Sequence, residues 1–301
     1  MLRQLVINAD DLGLTVGVND GIFDAHDLGV LTSASLFANA PATEDAIRRA
    51  RARTSLGIGV HLALVDGTPT LPARLVPTLV ADDGRFRQSW RPFIVACLQG
   101  RVSLGEVERE LTAQIERARA AGVSPTHLDA HKHVHAYPPL FAIVARLAAR
   151  FGIPVVRVPY ERWSLASALG RGNDHPSVTR RQTWLNAAMW PWARRNYRVA
   201  ARLGLRTPDF VGRIDTGVLD GSALRRMLRG ARAGVTELMV HPGYVDAALR
   251  RTPTRLLESR LQEVALLSRM EIRALLVGER MQLVRHDLAH SSRSRSLRYV
   301  S

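Results

Sequence analysis

The chain has one cysteine, Cys97, and one lysine, Lys132, although 42 of its 301 residues are basic. A single thiol excludes an internal disulfide and any zinc centre built on cysteines, and leaves Cys97 to act as a small hydrophobe. No run of 18 uncharged apolar residues occurs, so no transmembrane helix is expected. The N-terminus "MLRQLVINADD" lacks a signal-peptide pattern, because its apolar run is short and acids follow at once; it reads as cytoplasmic. Internal repeats and a clear interdomain linker are also missing. What remains is ordinary for a globular protein, 46% hydrophobic and 23% charged. The length suits two average domains or one (β/α) barrel, which typically needs about 250 residues.

The net charge of +15 is carried almost wholly by arginine. Such one-sided use reads as compositional bias. The arginines are also spread along helical stretches such as "AIRRARARTS", "ALRRMLRGARAG" and "MWPWARRNYRVAARLGLR". A solvated face accounts for them best and an anionic membrane surface comes second. The concentrated footprint of a nucleic-acid binder is absent, so no nucleic-acid partner is expected.

Short β-rich runs alternate with helical patterns. Strands are expected over 2–9, 31–40, 56–64, 125–131, 153–159, 209–217 and 235–243, with an eighth candidate over 272–278. Helices are expected over 17–29, from Pro41, and over 103–122, 138–152, 222–233 and 252–269. The clearest has Ser103 as N-cap, Glu106 three residues later in a capping box, and Gly122 at its end. Regular alternation predicts a parallel α/β sheet, and seven or eight units favour a barrel over an open sheet. The expected organisation is one domain over 1–280, with a proline-bearing loop at 65–102 and a helical insertion at about 160–208; a basic, disordered tail follows at 281–301.

In a parallel barrel the chemistry collects at the C-terminal ends of the strands. The first strand ends in Asn8, Asp10 and Asp11, the second in Asn39, and the third carries His61. The fourth lies in "HLDAHKHVH" and carries His127, Asp129 and His131. The fifth carries Arg157, with Glu161 just after it, and a late strand ends in His241. A period of two turns His127, Asp129 and His131 to one face, with His131 nearest the mouth. Asp11, His61 and His131 then offer one carboxylate and two imidazoles, the donor set of a hydrolytic metal centre with an open position. Asp10 is the candidate general base, and Asp129 can orient a ligand histidine. His127 lies deeper and suits a supporting role. Each residue alone has a plainer reading: a turn at "DD" or "HPG", a satisfied buried histidine, an Arg157–Glu161 ion pair. Their convergence at one end of nearly every strand is the stronger signal.

Five motifs, "NADDLG", "GVHL", "THLDAHKHVH", "RVPYE" and "ELMVHPGY", in that order, resemble the YdjC-like carbohydrate deacetylases, a family that includes the diacetylchitobiose deacetylases. The resemblance spans roughly residues 3–280 and is closest to a branch associated with hopanoid biosynthesis. It implies a distorted (β/α) TIM-like barrel with one divalent ion, zinc or magnesium first, then manganese, nickel or cobalt. It implies Asp10 as proton acceptor, Asp11 and His61 as ligands, His131 as third ligand with His127 the alternative, and His241 as general acid. Lys132 departs from the family, many of whose members have a third consecutive histidine there.

The expected reaction is metal-assisted amide hydrolysis, which releases acetate from an N-acetylated amino-sugar conjugate. For this branch the conjugate is an N-acetylglucosaminyl hopanoid; a soluble chito-oligosaccharide is the alternative. Trp184, Trp190 and Trp192 beside Arg194, Arg195 and Arg198 suit peripheral contact with an anionic membrane, or else pack the insertion onto the barrel. Two more distant readings share some features. A non-haem iron oxygenase also uses two histidines and a carboxylate, but on a different strand pattern. A nonenzymatic basic binder leaves the strand-end residues unexplained.

Overall fold

A computed structural model describes residues 2–162 and 176–289. Seven strands form one parallel sheet: β1 (Arg3–Leu12), β2 (Ser33–Leu36), β3 (Gly57–Leu62), β4 (Leu128–Ala130), β5 (Asp209–Val211), β6 (Gly234–Val240) and β7 (Met281–Leu283). Their order is β4-β3-β2-β1-β6-β5. Both β7 and β2 flank β1, β7 along Arg3–Leu5 and β2 along Asn8–Leu12. Helices cover the outside: α1 (Val16–Asp27), α2 (Thr43–Ala50), α3 (Trp90–Leu98), α4 (Leu104–Ala120), α5 (Pro138–Phe151), α6 (Pro176–Ala188), α7 (Trp190–Arg202), α8 (Gly221–Gly230), α9 (Ala247–Arg250), α10 (Glu258–Leu267) and α11 (Met270–Gly278).

The result is the expected α/β fold, a distorted TIM-like barrel in a single domain, opened on one side. The fifth expected strand, 153–159, forms no ladder and is reduced to bridges Leu128↔Val156 and Val155↔Arg206. Those two bridges alone link β4 to the chain entering β5, so the sheet is a half-barrel whose open side is spanned only by isolated bridges. The eighth candidate, 272–278, is instead helix α11. Its apolar run is short, and periodicity cannot separate a buried strand from a helix of about two and a half turns. The last strand comes later, inside the stretch assigned to the tail: β7 pairs with β1 and carries the chain on to buried His286. The remainder of that tail, 290–301, lies outside the described residues, as do 163–175 of the insertion.

Alternation along β1 sorts the two sides of the sheet. Leu5, Ile7 and Ala9 face outward and pack with Val18, Ile22 and Phe23 of α1 and with Leu224 and Leu228 of α8. A second core joins Val60 and Leu62 of β3 to Val107, Leu111 and Ile115 of α4 and to Phe141 and Val144 of α5. Asn8, Asp10, Ser33, Ser35, His61, His127, Asp129 and Glu237 are left buried on the inner side. The interior is therefore polar and must satisfy itself by hydrogen bonds and ion pairs.

Helix α4 has the expected N-cap, with Ser103 Oγ accepting from Glu106 N. Glu106 does not complete a capping box; its carboxylate accepts from Thr78 N and Thr78 Oγ1, both at 2.8 Å. One turn on, Glu110 accepts from Thr70 N at 2.7 Å and Leu71 N at 3.0 Å. The next turn brings Gln114 to both backbone groups of Ala63. A polar stripe on α4 thus pins the segment after β3. That segment is not the plain loop expected over 65–102, since it holds a bridge, Val80↔Phe86, and α3.

Of the insertion's tryptophans, Trp190 packs on Tyr160 and Trp192 on Tyr137, with ring centroids 5.0 and 5.4 Å apart. Trp184 is 76% exposed. The packing explanation therefore holds for two of the three.

Candidate metal centre

Asp10 and Asp11 both serve the site only because β1 breaks its own alternation. Its register against β2 shifts between Ala9 and Leu12, and Asp11 sits at φ 69°. In a regular strand consecutive side chains point to opposite faces. The bulge turns Asp11 to the side Asp10 already occupies. A non-glycine residue in the left-handed region costs on the order of 1 kcal/mol, and such strain collects at functional sites.

Asp11, His61 and His131 bring one ligand atom each to within 4.8 Å of one another. Asp11 Oδ1 lies 3.5 Å from His61 Nε2 and 3.3 Å from His131 Nδ1. Two donors each about 2.1 Å from a common ion at the tetrahedral angle are about 3.4 Å apart, so the spacing fits a divalent metal. Both rings are packed edge-on by Phe37, at 4.7 Å for His61 and 5.1 Å for His131. The far nitrogen of His61 meets Asp129 Oδ1 at 2.9 Å. Asp129 is thus the orienting carboxylate that fixes the ring and leaves Nε2 for a ligand. His131 is the histidine brought to Asp11 and His61.

His127 is elsewhere. Its Nε2 meets Ser35 Oγ and its Nδ1 meets Thr126 Oγ1, both at 2.9 Å, and its ring lies tilted against that of His286, with centroids 4.0 Å apart. Burial, with His286 and Arg157 nearby, drives its imidazole well below the usual range, so it is a neutral filler beneath the site. Gly59 is required above it, because a Cβ there would lie 2.4 Å from the His127 ring. His135 is buried too and holds the carbonyl of Arg157 at 2.9 Å.

A second carboxylate-rich group, Asp10, His61 and Asp129, is already filled by a guanidinium. Arg157 contacts both oxygens of Asp10 at 2.7 and 2.8 Å, Asp129 at 2.7 Å and Glu237 at 2.6 Å. Burial favours the neutral acid at Asp10, but Arg157 outweighs it and holds the carboxyl well below its ordinary value. Glu237 is likewise opposed by burial and lowered by Arg157 and His286 to about 2. Arg157 and Glu161 do not form the ion pair that their spacing suggests. Glu161 accepts from Ile214 N at 3.1 Å, its own N–H reaches Asn186 Oδ1, and burial raises it to about 7. It anchors α6 to the β5 loop.

Helix α10 falls inside the helix expected over 252–269, but nothing in the sequence showed that its side chains reach the site. Arg260 pairs with Asp11 Oδ2, and Glu263 accepts from His241 N at 2.5 Å. His241 ends β6 on the inner side, where burial lowers its imidazole to about 4 although Asp10 and Asp11 pull upward. It is uncharged at neutral pH, so it can act as an acid only after taking up a proton within the site. Asn39 is half-buried at the rim and donates to Thr68 O at 2.7 Å.

The family model described as YdjC-like protein matches residues 4–277. A protein named carbohydrate deacetylase from Geobacillus stearothermophilus is 32% identical over 284 residues, covering 94% of this chain and 97% of the relative. One of the same name from Brevibacillus brevis is 33% identical over 282 residues, with 93% and 97% covered. Among solved structures, a proposed cellobiose-phosphate cleavage protein of Enterococcus faecalis V583 superposes with a TM-score of 0.77 at 26% identity, over 96% of this chain and 100% of that one.

Proposed function

The chain belongs to the YdjC-like family, and on that footing we propose that it is a carbohydrate deacetylase, a hydrolase that cleaves the acetamide C–N bond of an N-acetylated amino sugar. The observation that carries this reading is the Asp11–His61–His131 cluster, with Asp10 and His241 beside it on the inner side of the sheet. Relatives 32% and 33% identical over nearly the whole chain bear the name carbohydrate deacetylase and support it.

Asp11, His61 and His131 would hold one divalent ion. When bound, the ion supplies a Lewis acid that lowers the pKa of a water and polarises a carbonyl. Two imidazoles favour zinc, nickel or cobalt over magnesium, which prefers an all-oxygen shell. Asp10 is the proton acceptor. The bidentate Arg157 pair keeps it ionised and fixed in direction, at some cost in basicity. His241, neutral at rest, receives that proton and delivers it to the departing amine nitrogen. Glu263 fixes the backbone from which His241 projects.

The substrate we favour is an N-acetylglucosaminyl hopanoid. Exposed Trp184 and helices α6 and α7, which carry six arginines and no acid, support contact with a lipid-linked substrate at an anionic membrane surface. No helix among the described residues is long and apolar enough to cross a membrane. A soluble chito-oligosaccharide is the second reading, favoured by the relatives' name. Acetate release from the hopanoid and from diacetylchitobiose, with Asp10→Asn as control, separates the two. Release from neither by the metal-loaded protein would overturn the deacetylase reading.

A further inference from the structure

Asp66 stands directly behind His131. Its Oδ2 lies 3.3 Å from His131 Nε2, while His131 Nδ1 faces Asp11 Oδ1 at 3.3 Å. The arrangement repeats that at His61, whose Nε2 faces the same Asp11 oxygen while its Nδ1 meets Asp129 at 2.9 Å. Each imidazole of the cluster therefore has a carboxylate on its far nitrogen. Asp129 reaches His61 from strand β4, but Asp66 comes from the long segment after β3. We propose that Asp66 is the positioning residue for His131, the carboxylate that fixes its tautomer and ring direction toward the ion.

This inference rests on the reading of Asp11, His61 and His131 as ligands. Asp66 falls outside both groups of side chains close enough to share an ion, so it acts through His131. The segment that carries it is firmly held. Asp66 N donates to Arg87 O, and Phe86 N donates to Gly67 O. Asn39 holds the carbonyl of Thr68, and Glu110 takes the N–H groups of Thr70 and Leu71. These contacts place Asp66 at φ 56°, a conformation that a free loop residue of this type would leave. On the other side, Lys132 and His133 also take positive φ, at 50° and 54°. That turn swings the Lys132 ammonium to Asp66 Oδ2 at 2.5 Å. The chain's only lysine thus clamps the carboxylate that faces His131. Two residues at positive φ, Asp66 and Lys132, meet at this contact, as expected where a rigid geometry is held for function.

The test measures zinc affinity of the metal-free, full-length protein by competition with a chromogenic chelator. Asp66→Asn should raise the zinc Kd about 10- to 100-fold, the usual loss when an outer-shell partner of a ligand histidine is removed. Lys132→Met should raise it by a smaller factor. The melting temperature of metal-free Asp66→Asn should match that of the metal-free wild type. Its activity should fall at limiting zinc and recover with excess, which distinguishes a positioned ligand from a group that does chemistry. Unchanged zinc affinity in Asp66→Asn, beside a large loss in Asp11→Asn, overturns the role of Asp66 alone. A lost affinity that tracks a lower metal-free melting temperature also overturns it, since Asp66 would then be structural. Unchanged affinity in Asp11→Asn overturns the ligand assignment beneath it.

Discussion

Arg157 is the side chain whose loss the barrel should tolerate least. It is 1% exposed and faces three carboxylates, those of Asp10, Asp129 and Glu237. Arg157→Met keeps much of the volume and removes the charge. Breaking a buried ionic contact by deleting one partner typically costs about 3–5 kcal/mol. An independent figure comes from Glu237, whose carboxyl is lowered from 4.5 to about 2. At about 1.4 kcal/mol per pH unit, that is about 3 kcal/mol of stability at neutral pH. For a chain of this size these figures mean a melting temperature lower by about 5–8 °C. The pH dependence gives the sharper test. In the wild type a lowered carboxyl contributes stability above pH 4.5, which is lost as pH falls toward 2. In the variant Asp10 and Glu237 stay buried but lose their guanidinium, so their pKa values rise and protonation relieves them. The deficit of the variant should therefore widen from pH 5 to pH 8, and adding Glu237→Gln should recover part of it. Urea denaturation at the two pH values measures this. A variant within about 1 kcal/mol of the wild type at both would refute the account, because it would mean the three carboxylates are solvated or neutral.

Four further outcomes follow from named contacts. Asp10→Asn should lower the rate of acetate release by about 100-fold or more while zinc still binds, as calorimetry beside a turnover assay would show. Treatment with a chelator should abolish activity, and zinc, nickel or cobalt should restore it better than magnesium; a rate indifferent to chelation contradicts the centre. Gly59→Ala places a Cβ 2.4 Å from the His127 ring and should destabilise by about 1–3 kcal/mol, read from thermal melts. Trp184→Ala should leave the melting temperature unchanged, because the side chain is 76% exposed, whereas Trp190→Ala should lower it by removing the contact with Tyr160.

The sheet was legible because its strands follow simple rules. β1, β3 and β6 are apolar runs ending in polar residues, and the inner positions Asp10, His61, His127 and Asp129 follow from a period of two. Where that period breaks, the sequence is silent. Nothing in "NADDLG" reveals the bulge that puts Asp11 beside Asp10, since the pattern reads equally as a turn. The run at 153–159 is as apolar as a strand, yet Pro154 has no N–H to give a ladder, and two bridges are all that form. Partners that arrive from far along the chain were also hidden. Arg260 meets Asp11 across 249 positions. Asp66 lies in a proline-bearing stretch without periodicity, and the stripe of Glu106, Glu110 and Gln114 on α4 is one of the distant contacts that order it. A buried stripe of acids four residues apart on a helix was the signal available, and it resembles an ordinary solvated face.

The interior charges say what kind of group this barrel is built to accept. Asp10, Asp11, Asp129 and Glu237 are buried, and buried Arg157 and Arg260 oppose them. Glu263 stands aside, because burial raises it to about 7. Four carboxylates against two guanidiniums leave two negative charges uncompensated in a medium that tolerates none cheaply. In the metal-free protein His61 offsets part of the excess: burial lowers it, but Asp129, Asp10 and Asp11 raise it to about 9. That imidazole is also one of the proposed ligands, and a ligand must be deprotonated to bind. A divalent ion held by Asp11, His61 and His131 would replace the His61 proton with two positive charges and so close the account, whereas a monovalent ion would do no more than replace the proton. The same count separates the place of Arg157 from the place an ion would take. Arg157 neutralises the lower layer and holds Asp10 in place, so that Asp11, on its bulge, is left to face the open side with two imidazoles and one guanidinium around it.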